Sequence, residues 1–140
     1  MKLVDANVLL YAVNTDAPQH AQARNWLDRA LTGPETVGFA WVVVLAFLRI
    51  ATHPRIFSQP LSGDTAVEIT EAWLDQPAAV VVEPTARHLG VVHGLLSAVG
   101  TAGNLVNDVH LAAIAAEHGA SIVSFDADFG RFAGVRHQEP

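Results

Sequence analysis

The sequence contains no cysteine, a single lysine and few charged residues of either sign. The absence of cysteine excludes disulfides, thiolate metal sites and cysteine nucleophiles. Hydrophobic residues make up 51% and charged residues 16% of the 140 residues, which excludes an intrinsically disordered chain. The longest apolar run, Phe39 to Leu48, is about half the length that a bilayer-spanning helix needs. Since no signal-peptide pattern is present either, we expect a cytoplasmic protein with no membrane segment.

The net charge is negative, because 14 acidic residues outnumber 8 basic ones, for a formal charge of −6. This balance argues against a protein that coats duplex nucleic acid through bulk electrostatics, but it allows an acidic pocket that holds a cation. The length is typical of one domain, and neither an internal repeat nor a Gly/Ser linker divides the chain. We therefore expect residues 1–140 to form a single domain.

Short β-branched runs alternate with longer helical segments. Strands are predicted at 2–4, 36–38, 79–82, 121–123 and 134–136. Helices are predicted at 8–13, 20–31, 41–52 (apolar on nearly all sides, as in a fully buried helix), 64–74 (with Asp64 as N-cap), 85–99 and 106–118 (ended by Gly119). Turns or loops are predicted at 14–18, 55–63 and 100–104. This alternation predicts a three-layer α/β/α domain with a short, mainly parallel central sheet.

Carboxylates follow two of the predicted strands. Asp5 ends the first strand, Asp126 follows the fourth with Asp128 two residues later, and Asp108 begins the helix that leads into the fourth strand. Each of them alone is typical of a helix cap or a turn. Together they are expected to converge, because parallel strands end at one edge of a sheet, where ligands of open α/β folds bind. Oxygen ligands without histidine or cysteine favour a hard cation, Mg²⁺ or Mn²⁺.

Polar and cationic residues accompany these acids. Asn7 is placed either to orient the carboxylate two residues before it or to cap the following helix, and Ser124 either to hold a phosphate or to bond the backbone. Arg49 forms a local cationic cluster with His53 and Arg55, in a region free of acids. Its guanidinium suits a phosphate contact, and the alternative is an ion pair with a carboxylate at the sheet edge.

Three segments resemble PIN-domain ribonucleases and, more specifically, the toxins of VapBC-type toxin–antitoxin pairs. They are 5–10 (DANVLL), 108–115 (DVHLAAIA) and 124–129 (SFDADF), in the family's order and over nearly the whole chain. The segment 47–57 (FLRIATHPRIF) is similar to a version common in actinobacterial members. The resemblance implies Mg²⁺-dependent cleavage of RNA (Mn²⁺ as the alternative ion), a homodimer, and inhibition by a cognate antitoxin protein.

The resemblance also implies roles for individual residues. The catalytic and metal-ligating acids would be Asp5, Asp108 and Asp126, with Asp128 completing the metal site and Asn7 orienting Asp5. Apart from the resemblance, the local residue pattern makes Arg49, Asn7 and Ser124 the residues expected to contact substrate, with Ser124 holding a phosphate or a metal-bound water. The apolar helix at 41–48 exceeds what one small core needs, so part of it is expected to face a second subunit or an antitoxin helix.

One feature departs from the family pattern. Many PIN domains carry a further acid near the position of Ala46, and this chain has no acid between Glu35 and Asp64. The alternative function is therefore a catalytically weak or inactive PIN-like module that binds RNA or protein. Two other folds with acids at strand ends are excluded. A dehalogenase-type phosphatase places its motif on the first strand, and a response-regulator receiver needs a late lysine, whereas Lys2 is the only lysine here.

Overall fold

The structure is a computed structural model that describes residues 1–100 and 102–140. Within these residues the strands are β1 (Lys2–Val4), β2 (Val37–Ala40), β3 (Ala79–Val82), β4 (Ser121–Val123) and β5 (Arg136–Gln138). The α-helices are α1 (Ala6–Val13), α2 (His20–Leu31), α3 (Trp41–Ala51), α4 (Gly63–Leu74), α5 (His88–Val99) and α6 (Val106–His118). Two 3-10 segments, Gly103–Leu105 and Ala127–Arg131, precede α6 and follow β4.

The strands form one sheet in the order β3-β2-β1-β4-β5, and all four pairings are parallel. β1 lies at the centre, where Leu3 pairs with Gly38 of β2 on one side and with Ile122 of β4 on the other. This arrangement confirms the predicted parallel sheet. It also brings the carboxyl ends of β1, β2 and β4 to the same edge.

The central strands are covered on both faces. Every residue of β2 and β4 is buried, as are Leu3 and Val4 of β1. Strands buried on both faces read as continuous apolar runs, because helices pack above and below a parallel sheet. The three-layer α/β/α class is therefore confirmed. Within the described part of the chain, no helix has the length and apolar character needed to span a membrane.

Helix ends show where local sequence signals compete. The prediction of Asp64 as the N-cap of α4 is wrong, because the Ser62 side chain accepts a hydrogen bond from the Thr65 amide at 3.1 Å and caps the helix instead. Asp64 lies within the first turn, where its charge still favours the helix dipole. Gly119 ends α6 with φ 63°, as predicted, since glycine adopts this left-handed conformation without a side-chain clash.

Other boundaries differ from the predictions by one to three residues; α1, for example, begins at Ala6 and not at residue 8. β2 extends to Ala40. α5 begins at His88 and not at residue 85, because the Thr85 amide donates a hydrogen bond to the Glu117 side chain of α6. β5 begins at Arg136, because Gly134 has φ 81° and the chain turns there before it pairs with β4. The predicted turn at 100–104 includes Thr101, which lies outside the described residues. The loop at 55–63 is mostly exposed, as predicted, apart from the buried Phe57.

Helix α3 is only partly buried, and the prediction of a fully buried helix is wrong. Val43, Val44 and Phe47 face the core, whereas Trp41 is 50% exposed and Leu45 is 59% exposed. The two exposed side chains are one helical turn apart and therefore share a face. The apolar residues of α3 thus cover both a core face and a solvent face.

A buried carboxylate joins α5 to α6. The Glu117 side chain has no exposed surface; it accepts hydrogen bonds from the Thr85 amide and hydroxyl and lies 2.6 Å from Nδ1 of His88. His88 Nε2 lies 2.8 Å from Nδ1 of His110 on α6. Burial opposes ionisation of Glu117, but these hydrogen bonds outweigh burial and lower the pKa of its carboxyl. The network fixes the position of α6, which carries Asp108.

Candidate active site at the carboxyl edge of the sheet

Asp5 is held at the end of β1 by backbone and side-chain hydrogen bonds. Its amide donates to the carbonyl of Val123 at 3.0 Å, which continues the pairing of β1 with β4 by one residue. Its Oδ1 accepts from the Ala6 amide at 2.7 Å and so caps α1, while Oδ2 accepts from the Ser124 hydroxyl at 2.6 Å. Asp5 therefore caps α1, as its position at the end of a strand allowed. Each oxygen of its carboxylate keeps a second lone pair for another partner.

Ser124 and Asn7 fix the direction of this carboxylate. The Asn7 side-chain amide donates to Ser124 Oγ at 2.9 Å, and its oxygen accepts from the Phe125 amide at 3.2 Å. Ser124 Oγ accepts a second bond from the Asp126 amide at 2.9 Å. A hydroxyl has one hydrogen and two lone pairs, so the Ser124 hydroxyl is fully used by protein groups. Asn7 thus acts on Asp5 through Ser124. The predicted bond of Ser124 to the backbone is the one that it accepts from the Asp126 amide.

Asp108 projects from the first turn of α6 toward the end of β1. It lines a cavity of about 140 Å³ together with Asp5, Asn107 and residues of α3 that include Ala46. Val42, Val43 and Leu111 also line the cavity. Ala46 is thus one of the lining residues of the acidic cavity, and its methyl group supplies no carboxylate there.

Asp126 caps the 3-10 segment that follows β4, and Asp128 lies within it; the charges of both act on Asp108. Asp126 Oδ1 accepts from the Asp128 amide at 2.9 Å, which is the turn geometry expected of an Asp-x-Asp sequence. Asp128 Oδ1 lies 2.9 Å from the guanidinium of Arg131. Both carboxylates are thus partly engaged by their own segment.

The four acids act on one another electrostatically. The pKa of Asp108 is raised first by burial and then by the charges of Asp5, Asp126 and Asp128, against a smaller opposing effect of Arg131. The pKa of Asp5 is also raised, chiefly by burial and further by Asp126, although the Ser124 hydroxyl opposes this. Mutual repulsion of this kind is relieved when a cation binds among the carboxylates.

The side-chain positions do not form an assembled metal site. Among residues 1–100 and 102–140, no three histidine or acidic side chains are arranged to hold a metal ion. Asp5 and Asp126 accept hydrogen bonds from protein groups, and Asp128 pairs with Arg131. The chemistry of the donor set nevertheless fits a hard divalent cation, because the acids share one edge and supply only oxygen atoms.

Arg49 is an exposed residue in the last turn of α3, one helical turn after Ala46. In the described part of the chain it forms no ion pair, so the predicted alternative of a pair with an edge carboxylate is not seen. The cation beside the acids is Arg131, which sequence reasoning missed. The sequence signal for Arg131 was its position three residues after Asp128, a spacing that allows an ion pair within one turn of helix.

Comparison with known proteins agrees with this geometry. The family model described as the PIN domain matches residues 2–135. Ribonuclease VapC37 of Mycobacterium tuberculosis is 56% identical over 140 residues, which cover 100% of this chain and 97% of the relative. Ribonuclease VapC33 of the same species is 40% identical over 140 residues, covering 100% and 98% of the two chains.

Solved structures show the same fold at low sequence identity. The VapBC2 complex of Rickettsia felis bound to a promoter DNA fragment contains a chain that aligns with a TM-score of 0.73 at 18% identity, with coverage of 99% and 97%. VapC20 of Mycobacterium tuberculosis, a toxin that cleaves the sarcin–ricin loop, aligns with a TM-score of 0.69 at 17% identity, with coverage of 97% and 99%. Fold and acidic edge together define a PIN domain. The chain belongs to the PIN-domain family and, within it, to the VapC ribonucleases.

Proposed function

We propose that this chain is the toxin of a type II toxin–antitoxin system, an endoribonuclease that hydrolyses RNA phosphodiester bonds and is neutralised by a cognate antitoxin. Residues 1–140 would act as one PIN domain in the cytoplasm. The observation that carries the proposal is the full-length 56% identity to ribonuclease VapC37. The carboxylates at the sheet edge, where the charges of Asp5, Asp126 and Asp128 act on Asp108, supply the chemistry that this activity requires.

The proposed catalytic centre consists of Asp5, Asp108 and Asp126, which would hold Mg²⁺, or Mn²⁺, together with Asp128. Support comes from the raised pKa values of Asp5 and Asp108, because such carboxylates gain most from a cation placed among them. A bound divalent cation would neutralise phosphate charge and make water a better nucleophile at neutral pH.

The remaining roles belong to the polar residues around the acids. Asn7 orients Ser124, and Ser124 directs Oδ2 of Asp5, so this pair keeps one carboxylate in place while RNA binds. Because Ser124 is fully buried and its hydroxyl is fully used, the role proposed for Asn7 and Ser124 is to position Asp5 toward the substrate. Arg49, exposed in the last turn of α3, is proposed to contact a phosphate of the RNA.

Incubating the purified protein with structured RNA tests the proposed activity. We expect cleavage with Mg²⁺ or Mn²⁺, loss of cleavage with excess chelator, and recovery when the metal is restored. Cleavage that persists in chelator would indicate a contaminating nuclease. RNA that stays intact at all metal concentrations would contradict the enzyme and favour the alternative, a binding module, which the alanine at position 46 makes a specific second candidate.

An antitoxin and a second copy of this chain are the proposed protein partners. Structural neighbours include VapBC complexes, which supports an antitoxin partner. The exposed face of α3 formed by Trp41 and Leu45 supports a homodimer, since paired apolar side chains on one face favour burial against another subunit.

Replacing Leu45 with aspartate is expected to dissociate the homodimer. A charge at the centre of an apolar contact costs on the order of 2 kcal/mol or more of association energy, a shift of about 30-fold or more in Kd. Light scattering coupled to size exclusion measures the change. Val67→Asp is the control, because Val67 is a similarly exposed apolar residue, 43% exposed, on α4. A Leu45→Asp variant that stays dimeric would place the dimer contact elsewhere.

A further inference from the structure

Arg131 occupies a fixed position beside the acidic edge. It ends the 3-10 segment Ala127–Arg131, between Phe129 and Phe132, which are 1% and 2% exposed. The two rings contact each other with centroids 6.1 Å apart and anchor the backbone on both sides of Arg131 in the core. The Arg131 side chain is 42% exposed, so a rigid base carries a guanidinium that solvent and ligands can reach.

The guanidinium of Arg131 is paired with one of the site acids. Its terminal nitrogen lies 2.9 Å from Oδ1 of Asp128. Among the residues that the structure describes, no other lysine or arginine forms an ion pair with any of the four acids. Its charge also reaches Asp108, where it lowers the pKa against the effect of the other carboxylates. Arg131 is thus the cation built into this site.

An exposed pair of this kind contributes little to stability. Ion pairs with both partners largely in solvent are worth about 0–1 kcal/mol, so the contact can be exchanged at small cost. A phosphodiester offers the guanidinium the same planar arrangement of two oxygens that a carboxylate offers. RNA that approaches four carboxylates is repelled unless a positive charge at the edge receives its phosphate.

We propose that Arg131 is a substrate-binding residue that exchanges the Asp128 carboxylate for a phosphate of the bound RNA. The inference rests on the proposed ribonuclease function and extends it to a named phosphate contact at the site. Arg131 binds phosphate at the cut site or next to it, because among the lysines and arginines that the structure describes it alone forms an ion pair with one of the four acids. Asp128 acts as the resting partner that keeps the guanidinium at the edge before RNA arrives.

Equilibrium binding of RNA tests this assignment directly. The probe is a fluorescein-labelled single-stranded RNA in Mg²⁺ buffer, and the protein carries Asp108→Asn so that the probe is not degraded. Adding Arg131→Gln is expected to weaken binding about tenfold, the effect of one lost charge-assisted contact, and to reduce the slope of log K against log salt by about 0.7. Fluorescence anisotropy over a series of salt concentrations measures both quantities.

Arg136→Gln is the matched control, because it removes the same charge from an exposed arginine nearby in sequence. Arg136 begins β5 and donates to the Gly119 carbonyl at 3.0 Å, at the opposite edge of the sheet. We expect the affinity and the salt slope of this variant to stay unchanged. Arg131→Lys keeps the charge without the planar fork and should bind with intermediate affinity. This variant also shows whether any loss in Arg131→Gln comes from misfolding.

Kinetics in the otherwise native chain provide the second readout. Arg131→Gln is expected to raise KM for RNA about tenfold while kcat changes less than about threefold, because the lost contact binds substrate before the chemical step. An unchanged KM and salt slope, or an equal loss in Arg136→Gln, would overturn the inference. If the native chain does not cleave RNA, the proposed function fails, while the binding experiment still decides the role of Arg131. Absence of any RNA binding overturns both.

Discussion

Asp108→Asn is expected to abolish RNA cleavage while making the metal-free protein slightly more stable. Loss of a group that supports a bound metal indirectly costs about 10- to 100-fold, so loss of a proposed ligand should lower kcat/KM by about 100-fold or more. The same substitution removes a carboxylate whose pKa is raised by burial and by three neighbouring acids. Because Asp108 is partly exposed, solvent screening limits the gain in unfolding free energy to roughly 0.5 kcal/mol.

The stability gain of Asp108→Asn should depend on pH in a defined direction. An acid with a raised folded-state pKa destabilises the native state only where it is ionised, so the variant is more stable than the native chain at neutral pH. The difference shrinks as pH falls through the raised folded-state pKa and disappears below about 3.9, where the carboxyl is protonated in both the folded and the unfolded states. Chemical denaturation of both proteins in chelator, repeated across this range, measures the difference.

Asp64→Asn is the control for Asp108→Asn, because Asp64 is an exposed acid in the first turn of α4, outside the site. We expect full cleavage activity and a small loss of stability from the weaker helix dipole interaction. Native-like cleavage by Asp108→Asn would remove Asp108 from the catalytic centre. A loss of stability at neutral pH would contradict the electrostatic account of the acidic edge.

Ala46→Glu is expected to strengthen divalent metal binding and weaken the metal-free fold. The Ala46 methyl lines the cavity that Asp5 and Asp108 share, so a longer acidic side chain there adds a carboxylate to the same space. Metal affinity rises with the number of charged ligands, and we expect Kd for Mn²⁺ to fall about tenfold. Without metal, the extra negative charge beside two acids should lower the unfolding free energy by about 1–2 kcal/mol.

Calorimetric titration with Mn²⁺ and chemical denaturation in chelator measure the two effects of Ala46→Glu. Ala116→Glu serves as the control, because Ala116 is exposed near the end of α6. Its metal affinity should match that of the native chain, and its stability should change by less than about 0.5 kcal/mol. If Ala46→Glu leaves the affinity for Mn²⁺ unaltered, the cation site does not include the cavity between α3 and α6.

Local sequence predicted most of the fold because the signals for its elements lie within a few residues. The alternation of β-branched runs with helical periodicity predicted β1, β3 and β4 at their observed bounds, and the helix α2 likewise. Glycine at 119 stops α6 because its φ is positive, a property of one residue. The expectation that acids gather at one edge needed only the rule that parallel strands share their carboxyl ends.

Side-chain partners were less predictable, because they depend on contacts between distant parts of the chain. Ser124 bonds Asp5 across 119 residues, and it does so because β4 pairs beside β1 in register. The sequence offered capping, metal binding and substrate contact as separate roles for these residues. The structure shows that one Asp5 carboxylate caps α1 and faces the acidic cavity at the same time.

The sequence by itself determined the composition of the acidic edge, the negative charge and the order of strands and helices along the chain. Only the tertiary structure decided which cation accompanies the acids and which face of α3 is exposed. Arg49 was the cation favoured by its local surroundings, but it forms no ion pair in the described part of the chain, whereas Arg131, which lies between two buried rings, pairs with Asp128. Part of the net charge of −6 is therefore local. Asp5, Asp126 and Asp128 act on Asp108 at one edge of the sheet, because parallel strand pairing places the carboxyl ends of the strands at that edge.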